Sequence, residues 1–476
     1  MTVPDGLVAV VKRECPTCAL VVPVLQQIAS TKNLFVATQD DPAFPPGVDA
    51  VDDTSLDLSY ELDIETVPTL LRFEDGREAA RIVGWSRDQW ESFTGITDLG
   101  DGLPPHKPGC GSRTLDPEIV QARYARDAEF KLRSRRVQIG DLEDDVEACI
   151  DRGWSDGLPV TPPTPERVAR MLEGTKRDPS EVVAVVPPDL VECTVEKVAI
   201  NAVLAGCKPE YMPVVLACVE AACTDEFNMH GLLATTYFAG PVVVVNGPIA
   251  KRIGMNSGVN VLGQGNRANA SIGRALQLVV RNVGGGRPGG VDRATLGNPG
   301  KLSFCFAEDE EGSPWEPLSV ERGLSEGTSA VTLFPGEGPR GVVDQLSRTP
   351  ESLARSLAAA LRTVAHPKLA IAFDAMLVVS PEHAARFRDA GWTKQRLRDE
   401  LLQLLTVPGD ELVRGAGGCD EGLPAGVAGS PIPKFTPHGL LIVHAGGKAG
   451  LFSSVIGGWV NGAAGSRPVT RAVIEE

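Results

Sequence analysis

The chain has 476 residues, 42% of them hydrophobic and 23% charged, with a formal net charge of −16. That length asks for two or three domains of ordinary globular composition. The acidic excess leaves no basic stripe to neutralise phosphates, which argues against nucleic acid as a partner, and no apolar run is long enough to span a bilayer.

The N-terminus enters an apolar run, Leu7 to Val11, without the charged leader and cleavage site of a secretory signal, so the expected compartment is the cytoplasm. Ten cysteines in this length do not make a disulfide scaffold, and in a reducing compartment cysteine pairs serve catalysis or metals. Directly behind the first strand stands Glu14-Cys15-Pro16-Thr17-Cys18, two cysteines at a strand exit and helix start. A thiolate at a helix N-terminus is stabilised by unpaired N–H groups and the helix dipole, so Cys15 is the expected nucleophile. Cys18, a turn further in, is placed to resolve a mixed disulfide on Cys15. Glu14 is expected to moderate the acidity of that thiol. A zinc knuckle would need a second ligand pair nearby, but the next cysteine is Cys110 and the first histidine is His106, so no metal is expected.

Residues 19–30 read as a helix, Leu34 to Thr38 as a strand and 54–63 as a second helix. Glu65-Thr66-Val67-Pro68-Thr69 then leads into a strand at Leu70 to Phe73, a turn at 74–76, a strand from Glu78 to Val83 and a helix from Ser86 to about Thr94. Cysteine pair, proline and hairpin in this order resemble the thioredoxin fold over about residues 5–98, in its shorter, glutaredoxin-like form. The resemblance implies a cis peptide at Pro68 beside the cysteine pair, and backbone groups of Val67 offered to an extended substrate. It departs at Glu14, where a tryptophan is common.

Residues 99–113, rich in proline and glycine, read as a linker carrying Cys110, and domain limits of 1–98, 99–113 and 114–476 follow. In Gly109-Cys110-Gly111-Ser112 the sulfur has no bulky neighbour, Gly111 and Ser112 have N–H groups to offer it, and Arg113 adds charge. The bland alternative is an incidental linker thiol. A helix opens at Asp116-Pro117-Glu118 and is expected to reach Arg135.

From about residue 141 the chain alternates strands and helices. Strands are expected at Val182–Val186, Pro241–Asn246, Val331–Phe334, Ala375–Ser380 and Leu440–Val443, and helices at 194–206, 210–223, 268–283, 350–364 and 393–405. Short, unalternating apolar strands between helices argue for an α/β domain with a mostly parallel sheet covered on both faces. Pro241 to Pro248 echoes Ala375 to Pro381, each followed by a helix, which suggests an internal duplication with halves at about 141–330 and 331–476.

Four groups here have chemical potential. Asn266, Arg267 and Asn269 precede the helix 268–283 and read either as an anion-binding loop or as a glycine-rich loop with an asparagine cap. Cys305 and Glu308 lie on a strand-like run ending in four acids, which reads either as a presented catalytic pair or as a solvated turn. His230 and His438 share a His-Gly-Leu-Leu setting and could converge on one site, with His444 on the same late strand as His438. Cys207, Cys218 and Cys223 read as core thiols.

The runs Gly153-Trp154-Ser155-Asp156-Gly157-Leu158-Pro159-Val160, Thr194-Val195-Glu196-Lys197, Gly206-Cys207-Lys208-Pro209-Glu210, Gly265-Asn266-Arg267-Ala268-Asn269-Ala270 and Ser313-Pro314-Trp315-Glu316-Pro317 are similar to a large bacterial family of unassigned reaction. The resemblance covers about residues 105–476. Families of this look include selenoproteins with a U-G-S-C motif, which Cys110-Gly111-Ser112 resembles, with Arg113 where the second cysteine would stand. The implied partner of Cys110 is then the dithiol of Cys15 and Cys18.

The expected function is a thiol-dependent oxidoreductase. Cys110 would attack a small electrophilic substrate, an anion where the loop of Asn266, Arg267 and Asn269 binds it, Cys15 and Cys18 would recycle it, and His230 or Glu308 would supply a proton. No cofactor is expected beyond an external thioredoxin or glutathione system, and a homo-oligomer is compatible with the sequence. Two other readings stand beside it. One is a lyase or hydrolase with its own acid–base site and an accessory thioredoxin-like domain. The other is a redox-sensing or soft-metal-binding protein.

Overall fold

A computed structural model describes residues 3–140 and 143–475. The chain forms two compact units, Met1–Arg126 and Asp127–Glu476. The boundary therefore falls beyond the expected one, and residues 99–113 are not a linker but part of the first unit. The proposed start of the first half, at about 141, touches residues outside those described.

In the first unit, strand β1 (Gly6–Val11) leads to helices α1 (Pro16–Leu20) and α2 (Val22–Thr31), then β2 (Leu34–Thr38), β3 (Ala50–Asp52) and α3 (Asp57–Glu61). There follow β4 (Thr66–Val67), β5 (Thr69–Glu74), β6 (Arg77–Val83), β7 (Trp85–Ser86), α4 (Arg87–Thr94), β8 (His106–Lys107) and β9 (Cys110–Gly111). The main sheet runs β3-β2-β1-β5-β6, with β1, β2 and β3 parallel and β5 and β6 antiparallel to their neighbours. The single helix expected at 19–30 is two helices, because Pro23 has no N–H to continue the ladder across Val21. The hairpin turns at Asp75 and Gly76, both at positive φ, the geometry that a two-residue turn between twisted strands demands.

Helix α5 (Pro117–Lys131) stops short of the expected Arg135. The second unit continues with α6 (Asp145–Asp151), α7 (Pro165–Leu172), β10 (Val182–Val186), β11 (Val191–Thr194), α8 (Val195–Ala205), α9 (Met212–Ala222) and α10 (Met229–Ala234). Next come β12 (Gly240–Asn246), α11 (Pro248–Arg252), α12 (Arg267–Asn282), β13 (Cys305–Ala307), α13 (Leu318–Glu321), β14 (Ala330–Gly336) and β15 (Arg340–Val343). The chain closes with α14 (Pro350–Leu361), β16 (Phe373–Val379), α15 (Pro381–Asp389), α16 (Lys394–Leu404), β17 (Thr406–Pro408), α17 (Gly409–Leu412), β18 (Pro431–Pro433), β19 (Leu440–His444), β20 (Phe452–Val460) and β21 (Val469–Ala472).

Its large sheet runs β13-β12-β14-β20-β16-β19, with β21 on β14 and β15 on β20. Among the described residues only β12–β13 and β16–β19 pair in parallel, and the other pairings are antiparallel. The expectation of a mostly parallel sheet is corrected to a mixed one. The strands are apolar on both faces for a different reason. Val243, Val245, Leu377 and Ile442 face helices, whereas Val242, Val244, Met376, Val378, Leu441 and Val443 share an inner core with Phe306 and Phe334. The outer strands β13 and β19 meet where Asp309 donates its N–H to the His444 carbonyl at 2.8 Å, so the sheet curls around that core. The order strand, two helices, parallel partner, antiparallel partner occurs from β12 and again from β16.

Candidate functional site

Cys15 is the N-cap of α1, with Pro16 at the first helical position. Its sulfur accepts the Cys18 N–H at 3.3 Å and lies 3.4 Å from the Val67 carbonyl oxygen. The peptide bond Val67–Pro68 is cis. Facing Val67 is Cys110: β4 and β9 pair antiparallel, Thr66 with Gly111 and Val67 with Cys110, and Ser112 extends the pairing by donating to the Glu65 carbonyl at 2.9 Å.

The segment that brings Cys110 here is a strap, fastened at both ends. Upstream, β8 pairs with β7, Trp85 Nε1 donates to the Pro104 carbonyl at 2.7 Å, and Arg87 N–H donates to the Pro105 carbonyl at 2.9 Å. Over the dithiol, Thr17 Oγ1 donates to the Pro108 carbonyl at 2.6 Å and Lys107 Nζ to the Pro16 carbonyl at 3.1 Å. Downstream, buried Gln39 donates to Ser112 Oγ at 2.7 Å and accepts from the Arg113 N–H at 3.1 Å, while Thr114 Oγ1 donates to the Ile64 carbonyl at 2.6 Å. Gly109 is obligatory, since a side chain there would run into Thr66 and the Val67 carbonyl.

The electrostatics separate the three thiols. Cys15 is lowered from 9.0 to about 5, chiefly by the Cys18 thiol and, against the cost of burial, by a hydrogen bond from the Cys110 thiol. Burial pushes Cys18 far up, and the neighbouring Cys15 charge adds to that. Cys110 is raised as well, by burial and then by its hydrogen bond to Cys15. The resident thiolate is therefore Cys15, with Cys18 and Cys110 as protonated donors on either side. Cys15 and Cys18 are fully buried, and Cys110 is half-buried. All three are free thiols.

Two sequence expectations change here. Ser112 spends its N–H on Glu65, and Arg113 turns to the Gln39 carbonyl at 3.0 Å, so neither serves the Cys110 sulfur. Glu14 is exposed and gives its N–H to Asp40, while the thiols beside Cys15 set its acidity. Thr17, Gln39 and Lys107 were missed. Thr17 was inside the motif, and Gln39 follows directly on the largely apolar strand β2, the one signal that could have pointed to it.

The remaining sequence candidates lie in the second unit. Asn266 caps α12, accepting the Asn269 N–H at 3.0 Å, and donates to the Gly254 carbonyl at 2.8 Å. Asn269 is buried and clamps Asn256 through both of its amide atoms, and Arg267 Nε donates to the Gly206 carbonyl at 2.9 Å. These bonds tie the loop to its surroundings. Cys305 is buried against the helical layer, where desolvation raises it well above an ordinary thiol. Glu308 is buried at the end of β13 and accepts from Asn246 Nδ2 at 2.7 Å and the Leu318 N–H at 2.7 Å. Burial raises it, and Lys394 opposes the rise. His230 and His438 are exposed, whereas His444 is buried with Nδ1 on the Asp309 carbonyl at 3.0 Å. Among the described residues no cluster of His, Cys, Asp and Glu has a metal-holding arrangement.

No family model matches the chain, and no curated protein matches it.

Proposed function

We propose that the first unit is a thioredoxin-like thiol–disulfide exchange unit whose substrate thiol, Cys110, is carried on its own chain. One observation carries this reading: Cys110 pairs with Val67, next to Pro68, and the Cys15 sulfur lies 3.4 Å from the carbonyl oxygen of that same Val67. Extended substrates commonly bind by adding a strand, and residues 110–112 occupy that place.

The chemistry is a two-electron relay. In the minor tautomer in which its proton rests on Cys15, Cys110 is the thiolate and attacks a small oxidant such as a hydroperoxide. The O–O bond breaks, Cys110 becomes a sulfenic acid, and an alcohol leaves with the proton returned from Cys15. The Cys15 thiolate then attacks the Cys110 sulfur, an S–S bond forms, and hydroxide departs as water after taking up a proton. Cys18, having given its proton to that hydroxide, attacks Cys15 as a thiolate; Cys110 leaves as a thiolate that takes a proton from solvent, and a Cys15–Cys18 disulfide remains for an external thiol reductant. No proton donor from the second unit is needed, and the roles expected of His230 and Glu308 are not part of the relay. The burial of Cys15 beneath the strap also favours a sensor reading, in which formation of the Cys15–Cys110 disulfide is itself the output. For the second unit we read the recurrence of element order from β12 and β16 as an internal duplication, its halves dividing between Val343 and Pro350.

The test is one equivalent of hydrogen peroxide added to the reduced protein, followed by quenching and mass spectrometry. Wild type should end as the Cys15–Cys18 disulfide, and Cys18→Ser should stop at the Cys15–Cys110 disulfide. Cys110→Ser should leave the dithiol reduced on the same timescale. Equal oxidation of the dithiol in wild type and Cys110→Ser would refute the relay.

A further inference from the structure

Helix α12 carries a second polar stripe, away from the loop at its start. Arg274, Gln277 and Arg281 follow one another at spacings of three and four and so share a face. Arg274 is fully engaged: its guanidinium grips Asp156 through two bonds, Nε at 2.8 Å and a terminal nitrogen at 2.7 Å. Gln277 and Arg281 line a cavity of about 500 Å³ together with Asp156, Asp292, Lys301 and the loop Gly286–Asn298.

The charges in this cavity do not balance. Asp156 is taken by Arg274, and Asp292 by Lys301 at 2.7 Å. Arg281 forms no ion pair with a carboxylate among the described residues; burial and then nearby Arg287 disfavour its charge, and Asp156, already held by Arg274, offsets this only in part. Gln277 Nε2 and Arg281 Nε are both out of reach of solvent with no acceptor among the described residues. Leaving two buried donors and a cation unsatisfied is expensive, and proteins keep such groups where a ligand completes them. Arg281 stands in the last turn of α12, where the helix dipole favours a cation, but a dipole does not supply the missing acceptors. Leu233, Pro288, Leu296, Pro299 and Leu302 add an apolar part to the wall, beside Asn298. Leu296 is 82% exposed, and Leu302 41%.

We infer that this cavity is a binding site for a small organic oxyanion, a carboxylate or phosphate head held by Gln277 and Arg281 on an apolar body lying along Leu296 and Leu302. The site is independent of the thiol relay. It lies apart from the loop of Asn266, Arg267 and Asn269 at the other end of the same helix, where Asn266 Nδ2, Arg267 Nε and Asn269 Nδ2 each donate to a backbone carbonyl.

The experiment is calorimetric titration of the full chain with benzoate, phenyl phosphate and the neutral benzamide, with melting temperatures measured alongside. At least one anion should bind one-to-one, more weakly as salt rises, and benzamide should not bind. Which anion binds tells carboxylate from phosphate. Arg281→Met should weaken that anion by about tenfold or more, as loss of a charge-assisted bond requires, and Gln277→Leu should weaken it less. The ligand-free Arg281→Met protein should melt no lower than wild type, because the lost charge was unpaired. Absence of saturable binding by either anion at millimolar concentration would overturn the proposal. So would undiminished binding by Arg281→Met, or a lowered melting temperature in that variant with affinity unchanged.

Discussion

At the scale of the residue, the site is decided by which of three neighbouring sulfurs holds the negative charge. Cys15 is the most acidic of them, lowered chiefly by the neighbouring Cys18 thiol, while burial raises Cys18 and Cys110. The ultraviolet absorbance of its thiolate should titrate with a midpoint near 5. Cys18→Ala should move that midpoint up more than Cys110→Ala, in the order of their contributions. Equal midpoints in all three proteins would assign the acidity to the helix terminus alone. The linkage has a definite sign. The folded value lies below the ordinary 9.0, so the thiolate's contribution to stability is complete above that pH and is lost as pH falls toward about 5. Glu308 gives a contrasting case. It serves as an acceptor for Asn246 and Leu318, so Glu308→Gln should stay within about 1 kcal/mol of wild type, whereas Glu308→Ala should cost about 2–4 kcal/mol by orphaning both donors. Urea unfolding of the two variants checks this, and equal losses would mean the carboxylate charge itself is required.

At the scale of the element, the strap from β8 to β9 lies over the dithiol, bonded to Thr17 and to the Pro16 carbonyl. Its strands have two residues each, too short to leave any period in the sequence, and proline and glycine suit an edge-bound strap as well as they suit a linker. For that reason Cys15, Cys18 and Pro68 were legible from local order, while the cover over them was not. The large sheet was misjudged on similar grounds, because Val242 to Val245 is apolar whether its second face meets helices or an inner core. The strap can be loosened at one atom. Gly109→Ala should push it from Thr66 and Val67, and alkylation of Cys15 should accelerate about tenfold for each ~1.4 kcal/mol by which closure is weakened. An unchanged rate, measured by mass spectrometry with iodoacetamide in excess, would show that the strap does not limit access.

At the scale of the whole molecule, the two units carry different chemistry. The thiols, the strap and its anchors all belong to Met1–Arg126, and the curled sheet and the cavity at Arg281 belong to Asp127–Glu476. A fragment of residues 1–131, ending with α5, should therefore support the relay alone. Failure of the folded fragment to oxidise its dithiol through Cys110 would make the second unit part of the reaction. The division into two α/β parts was legible from length and from the change in pattern behind Cys110. The boundary was not, since α5 continues past it without interruption.

The most direct measurement is trapping of the intermediate. In Cys18→Ser protein the resolving thiol is gone, so mild oxidation should stop at a disulfide between Cys15 and Cys110, and peptide mapping should find it as the main product within single chains. If Cys15 couples only to added glutathione while Cys110 stays reduced, Cys110 is not the built-in substrate and the account is contradicted.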